Sequence, residues 1–224
     1  MVLMANPRQR ARRSAKERWI RFVAKPSVFV LCLLPLAALA GQGLSGGLGA
    51  NPIEAVNRTL GDWALRFLLL ALAVTPAREL LGLPELARFR RMIGLFAFFY
   101  ASLHLTSYVV LDQFFDWREI WADIVKRRYM TFGMAAFVLL VPLAVTSTKG
   151  WVKRIGAAAW QRLHRLVFPA AVLATIHFFM MVKTDVREPA VYAAILALLL
   201  GYRVVTLLRR RAVRAGRVAG TQAA

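Results

Sequence analysis

Three histidines are the residues of this chain best placed to do chemistry. His164 and His177 lie in AWQRLHRLVFPAAVLATIHFFMMVK, residues 159–183, and His104 lies in the uncharged run Met92–Leu111. Both stretches are apolar enough and long enough to cross a membrane. An ionisable side chain inside such a segment is costly and marks function. A neutral imidazole keeps one nitrogen lone pair, and that nitrogen is the usual protein ligand of haem iron. Simple hydrogen bonding to a neighbouring helix is the ordinary alternative for any one such histidine.

The rest of the chain must position these rings. Of its 224 residues 59% are hydrophobic, and they are grouped in long uncharged runs, so the expected fold is an all-α integral membrane protein, a six-transmembrane-helix bundle. The expected spans are Ser27–Ala40, Asp62–Ala77, Met92–Leu111, Tyr129–Thr148, the histidine helix and Pro189–Leu208. Gly41–Gly49 reads as flexible loop, Thr75-Pro76 as the end of the second span, and 112–128 as an acidic outer loop bearing Trp117 and Trp121. Residues 1–25 read as a basic cytoplasmic segment whose Trp19, Ile20, Phe22 and Val23 rest on the membrane surface, 26–208 as the membrane domain and 209–224 as a basic cytoplasmic tail. Ala38-Leu39-Ala40 has the look of a leader cleavage site, but the preceding basic segment is long for a leader, which favours a retained anchor. The single cysteine, Cys32, excludes an intramolecular disulfide and a thiolate cluster.

The net charge of +20 would suggest nucleic acid in a soluble protein. Here the bilayer explains it, and no nucleic-acid partner is expected. The segments 1–25, 78–91, 149–165 and from 209 onward hold 22 of the 31 Lys and Arg, and the alternate loops hold 7. Arg66 and Arg203 lie within spans, and only Glu17, Glu79 and Glu85 among the acids fall on the basic side. By the positive-inside rule both termini of a multi-pass protein with this pattern are cytoplasmic.

With that orientation the third and fifth spans both run outward. His104 lies thirteen residues past Arg91, and His177 thirteen past His164, a rise of ~20 Å in each case. His104 and His177 are therefore expected at a common depth in the outer half, facing each other as a bis-histidine haem pair. His164 is expected near the inner surface, where its opposite position is Arg91 rather than histidine. A second haem there needs an atypical partner, or His164 serves otherwise. Thirteen residues do not return to one helix face, so Pro169 is expected to distort the helix between the two histidines. Arg66, one turn below the outer surface, either pairs a haem propionate or snorkels to the interface. Arg90 and Arg91 form a basic inner rim that either holds a phosphate or anchors the topology.

The stretches NRTLGDWALRFLLLALAVTP (57–76), RFRRMIGLFAFFYASLHLTSYV (88–109), RYMTFGMAAFVLLVPLAVTS (128–147) and WQRLHRLVFPAAVLATIHF (160–178) carry a resemblance. The chain resembles the MsrQ family, haem-binding membrane subunits of periplasmic methionine sulfoxide reductase systems, within the wider ferric reductase and NADPH oxidase transmembrane group. The resemblance covers most of residues 27–208. It implies one or two b-type haems with His104, His164 and His177 as ligands, and FMN as a further cofactor. It implies electrons from the quinone pool or a cytoplasmic flavin reductase, passed to the periplasmic molybdopterin subunit MsrP. Reduction of methionine sulfoxide in oxidised proteins would take place on that partner, and the resemblance implies a bacterial inner membrane. The acidic loop 112–128 with its tryptophans is either a docking surface for a periplasmic partner or a solvated loop with interfacial tryptophans.

Other classes fit less well. Gly43-Leu44-Ser45-Gly46 matches the nucleophile pattern of an intramembrane serine protease, but the serine lies in a glycine-rich outer loop and the final span has no histidine base. An ion transporter using a histidine relay lacks the expected membrane carboxylates. A cytochrome b subunit serving another respiratory partner shares the haem chemistry and differs only in where the electrons go.

Overall fold

The computed structural model describes residues 15–182 and 185–222. Residues 1–14 of the basic segment, Lys183 and Thr184 of the last outer loop, and the final two residues lie outside the described set. Six helices are long and apolar enough to cross a membrane, so the chain is an all-α multi-pass membrane protein. It folds as two units, Met1–Pro52 and Ile53–Ala224.

The first unit is one helix over Ala15–Leu44, with a π turn at Ile20–Ala24 leading into α1, Lys25–Leu44. The helix runs through Gly41 and Gly43, which were expected in a loop. A glycine weakens a helix by only about 1 kcal/mol, and the apolar run before it carries the helix on. In the N-terminal turns Trp19, Phe22 and Val23 are exposed while Ile20 is buried.

The second unit contains α2 (Pro52–Leu81), α3 (Ala87–Ser107), α4 (Trp117–Lys126), α5 (Arg128–Val145), α6 (Lys149–Ile155), α7 (Ala157–Leu163), α8 (Val167–Met181) and α9 (Arg187–Gln222). α2 is far longer than the expected span. The polar stretch before Asp62 is helical from Pro52, since proline suits a first helical turn. Nor does Pro76 end it. Proline removes the bond that its own N–H would make to the carbonyl four residues back. That carbonyl belongs to Leu72, and Arg203 Nη2 of α9 donates to it at 3.3 Å and to Thr75 Oγ1 at 3.2 Å. The Arg203 guanidinium also lies 4.8 Å from the centre of the Phe168 ring, an attractive cation–π placement. A membrane arginine thus supplies a donor where the helix lost one.

Phe67 of α2 packs against Phe96 and Tyr100 of α3, and Tyr100 is completely buried. α5 packs on α8, and α8 on α9. Outward faces stay apolar, as at Leu70, Val138, Leu198 and Val204, which suits a hydrocarbon solvent. The basic 78–91 segment is mostly helical rather than loop, with a 3-10 turn at Pro84–Leu86 leading into α3.

The acidic segment 112–128, expected as a loop, contains an amphipathic helix. Asp116 caps α4, its Oδ1 accepting from the N–H groups of Arg118 and Glu119 at 3.0 Å each. One side of α4 is anchored by Asp123, 3% exposed, whose Oδ2 accepts from Tyr108 Oη at 2.9 Å and whose Oδ1 pairs with Arg127 Nε at 2.9 Å. Trp117 and Trp121 stay exposed on another side. Arg127 also donates to the Tyr129 hydroxyl at 3.3 Å, and that bond, with the Asp123 charge, raises its pKa. Asp123→Ala removes the acceptor of the Tyr108 hydroxyl and the ion pair of Arg127, at a cost of about 1–3 kcal/mol. Thermal unfolding in detergent should show a lower midpoint for this variant and a smaller loss for Asp123→Asn, which keeps an acceptor for Tyr108.

Candidate functional site: a facing pair of imidazoles

The site begins with two helix starts. Asn57 lies near the beginning of α2 and Tyr129 at the beginning of α5. His104 Nδ1 lies 2.9 Å from the backbone oxygen of Asn57, and His177 Nδ1 lies 2.7 Å from that of Tyr129. A carbonyl oxygen can only accept, so in both rings Nδ1 carries the proton and Nε2 keeps the lone pair. Hydrogen bonds of this kind fix the tautomer and orient a metal-ligating histidine. His104 is held further through its main chain. Asn57 Nδ2 donates to the His104 carbonyl at 3.2 Å and to Ser107 Oγ at 2.9 Å, and Ser107 Oγ donates to the same carbonyl at 2.8 Å.

The two rings come together as the depth argument expected. Their centroids are 6.2 Å apart and their planes lie at 68°. Two iron–nitrogen bonds of about 2 Å, with about 1 Å from each donor nitrogen to its ring centre, span about 6 Å. The observed separation therefore fits one metal between the rings. Two axial imidazoles suit a metal that brings its own equatorial ligands, as haem iron does.

His164 is in a different setting. It opens a 3-10 turn, His164–Leu166, between α7 and α8. The distortion expected from Pro169 is present there: the proline lacks the N–H that would bond the Arg165 carbonyl, and the backbone tightens in that turn. The imidazole stacks on Trp160 with centroids 3.8 Å apart, and Nε2 lies 3.2 Å from Thr146 Oγ1. The Thr146 hydroxyl already donates to the Pro142 carbonyl at 2.6 Å, so His164 Nε2 must be the donor to Thr146. Trp160 Nε1 donates to the Thr146 carbonyl at 2.9 Å, which closes the cluster.

The arginines divide. Arg66 Nε donates to Tyr192 Oη at 2.6 Å, Nη2 pairs with Glu188 Oε1 at 3.3 Å, and the guanidinium lies 4.9 Å from the Trp63 ring centre. These contacts tie α2 to α9. Arg90 and Arg91 are exposed at the start of α3. Ser45, of the protease-like pattern, donates its hydroxyl to the Gln42 carbonyl at the end of α1.

The sequence reading missed the residues beneath the histidines. A Cβ added to Gly61 would lie 3.1 Å from His104 Nδ1, and one added to Gly133 would lie 2.8 Å from His177 Nδ1. Each glycine sits four residues after the carbonyl that holds its histidine. A signal was available. Leu-Ala-Val-Thr occurs at 72–75 and again at 143–146, downstream of Gly61 and Gly133 respectively, so the two helical hairpins share a pattern.

Comparison with known proteins gives a consistent result. Residues 60–175 match the family described as ferric reductase like transmembrane component. A protein of Rhodospirillum rubrum named protein-methionine-sulfoxide reductase heme-binding subunit MsrQ is 61% identical over 191 residues, covering 85% of this chain and 91% of the relative. Proteins of the same name from Caulobacter vibrioides and Xanthomonas euvesicatoria pv. vesicatoria are each 50% identical, over 201 and 200 residues, and cover 90% and 87% of this chain and 94% and 91% of the relatives. Similarity at this level over nearly the whole length, together with the membrane helices that carry the imidazole pair, establishes that the chain belongs to the MsrQ family of the ferric reductase-like transmembrane group, a family of membrane electron-transfer subunits.

Proposed function

We propose that this chain carries electrons across a bacterial inner membrane by way of b-type haem axially held by His104 and His177. The single observation that carries the reading is the facing pair of rings, 6.2 Å apart, each with Nδ1 bonded to a backbone carbonyl and Nε2 left with its lone pair. Haem supplies the one-electron chemistry when bound. The protein's part is to fix both ligands before the metal arrives, in an apolar setting that tunes the potential. The distribution of basic segments supports cytoplasmic termini, and in that orientation His104 and His177 lie toward the periplasmic face. Electrons enter from the quinone pool or a cytoplasmic flavin reductase, with FMN as an intermediate carrier, and leave to MsrP, the molybdopterin subunit on which methionine sulfoxide is reduced. The relatives' printed name and the family resemblance support that assignment. In this reading Arg66 stands near the outer haem edge as a propionate contact, Arg91 stands on the inner rim as a phosphate contact, and the segment 112–128 offers the partner its exposed Trp117 and Trp121.

His164 is the candidate ligand of a second, inner haem. Coordination through its Nε2 requires release of the Thr146 bond.

His104→Ala and His177→Ala should each remove the sharp alpha and beta bands of the reduced protein, and an unchanged visible spectrum in both would sink the pairing. Iron content decides His164: a fall from two irons to one per chain in His164→Ala assigns it a second haem, and unchanged iron assigns it the contact with Thr146 and Trp160. Dithionite-reduced protein should be reoxidised rapidly on adding MsrP and a sulfoxide substrate. Absence of any acceleration would favour another periplasmic acceptor.

A further inference from the structure

Two hairpins of this unit build the same seat. In one, Asn57 offers a carbonyl, Gly61 lies four residues on, and His104 arrives from α3, 47 residues after Asn57. In the other, Tyr129 offers the carbonyl, Gly133 follows four residues on, and His177 arrives from α8, 48 residues after Tyr129. Inside an α-helix the carbonyl of residue i already accepts from the N–H of residue i+4. A second donor must reach the same oxygen from outside the helix. Side chains tilt toward the helix N-terminus, so the one at i+4 covers the turn in which that carbonyl sits. Glycine at i+4 leaves the approach open.

We infer that Gly61 and Gly133 are positioning residues for the two axial histidines: each clears the space through which an imidazole reaches a backbone carbonyl on the neighbouring helix. This rests on the haem reading for what the rings hold, and adds what aims them. The two seats are unequal. A Cβ at Gly133 would stand 2.8 Å from Nδ1 and 2.9 Å from Cε1 of His177, closer than carbon atoms pack. At Gly61 the same two distances to His104 are 3.1 Å, which a small displacement of the ring relieves. The ring is not a free end that can swing aside, because its Nδ1 is bonded and its Nε2 faces the metal. A methyl group there pushes the imidazole off its carbonyl and turns its plane, both of which alter an axial ligand's donor strength.

The test is Gly133→Ala and Gly61→Ala in the full-length, haem-loaded protein, read by low-temperature EPR of the oxidised form and by redox titration. Gly94→Ala and Gly201→Ala serve as controls, since a Cβ at the first meets only Ala71 Cβ at 4.0 Å and at the second meets nothing within 4 Å. A glycine that merely sat in a helix would tolerate alanine or gain stability from it. The expected result is a shifted principal g value and a shifted midpoint potential, larger for Gly133→Ala than for Gly61→Ala, with both controls at the wild-type values. Wild-type spectra and potentials in both seat variants, while His177→Ala still abolishes the low-spin signal, would overturn the inference and leave the haem reading standing. Unchanged spectra in His104→Ala and His177→Ala would instead overturn the haem reading. Should Gly133→Ala not insert, Gly61→Ala decides alone: a shift supports the seat, and wild-type behaviour sinks it.

Discussion

A buried neutral imidazole that presents the lone pair of one nitrogen carries its proton on the other, and here a backbone carbonyl accepts that N–H twice. That constraint shapes the second unit. The carbonyls of Asn57 and Tyr129 each accept a histidine Nδ1, so α2 must lie against α3, and α5 against α8, with their outer ends in register. α5 and α8 approach closely with Gly133 at the crossing, whereas α2 and α3 meet through side chains, among them the His104 ring over Gly61. The aromatic packing of Phe67, Phe96 and Tyr100 fixes the first pair of helices below the seat.

Polar groups elsewhere in the membrane follow the same accounting. Pro76 leaves the Leu72 carbonyl without its helical donor, and Arg203 supplies one. The price is visible in Arg203 Nε, which is buried and has no partner among the described residues. Thr146 returns its own proton to the Pro142 carbonyl and so becomes an acceptor for His164. At the outer end Asp123 neutralises Arg127 and receives the Tyr108 hydroxyl, which binds α4 to the end of the third span. Tyr129 stands between this network and the histidine pair: its hydroxyl meets Arg127 and its carbonyl meets His177. Damage at the outer loop thus has a short route to the ligand set.

The two hairpins are variations on one pattern rather than copies. His104 is clamped by the Asn57 side chain as well as by its carbonyl, whereas His177 has the carbonyl and a tighter glycine. The inner halves diverge further. Thr146 meets an imidazole, while Thr75, in the same Leu-Ala-Val-Thr context, meets the guanidinium of Arg203. The divergence gives the two threonines different partners, an imidazole at one and a guanidinium at the other.

Much of this molecule was legible in the chain itself. Uncharged runs of membrane length fixed the helix count, because hydrocarbon admits no other solution for the backbone. The common depth of His104 and His177 came from the charge pattern of the loops and the rise per residue, and the rings do meet. Helix ends were less legible: Pro76, Gly41 and Gly43 are helical despite their local preference, because neighbouring apolar surface and a donor on another helix outweigh a propensity of about 1–3 kcal/mol. The seats were hardly legible: the repeated Leu-Ala-Val-Thr at 72–75 and 143–146 relates the two helices but points to neither glycine. Asn57 and Tyr129 act through main-chain oxygens, which every residue has, and Gly61 and Gly133 act by lacking a side chain. Their contribution exists only where a second helix, some 43 or 44 residues away in sequence, lays an imidazole across that gap.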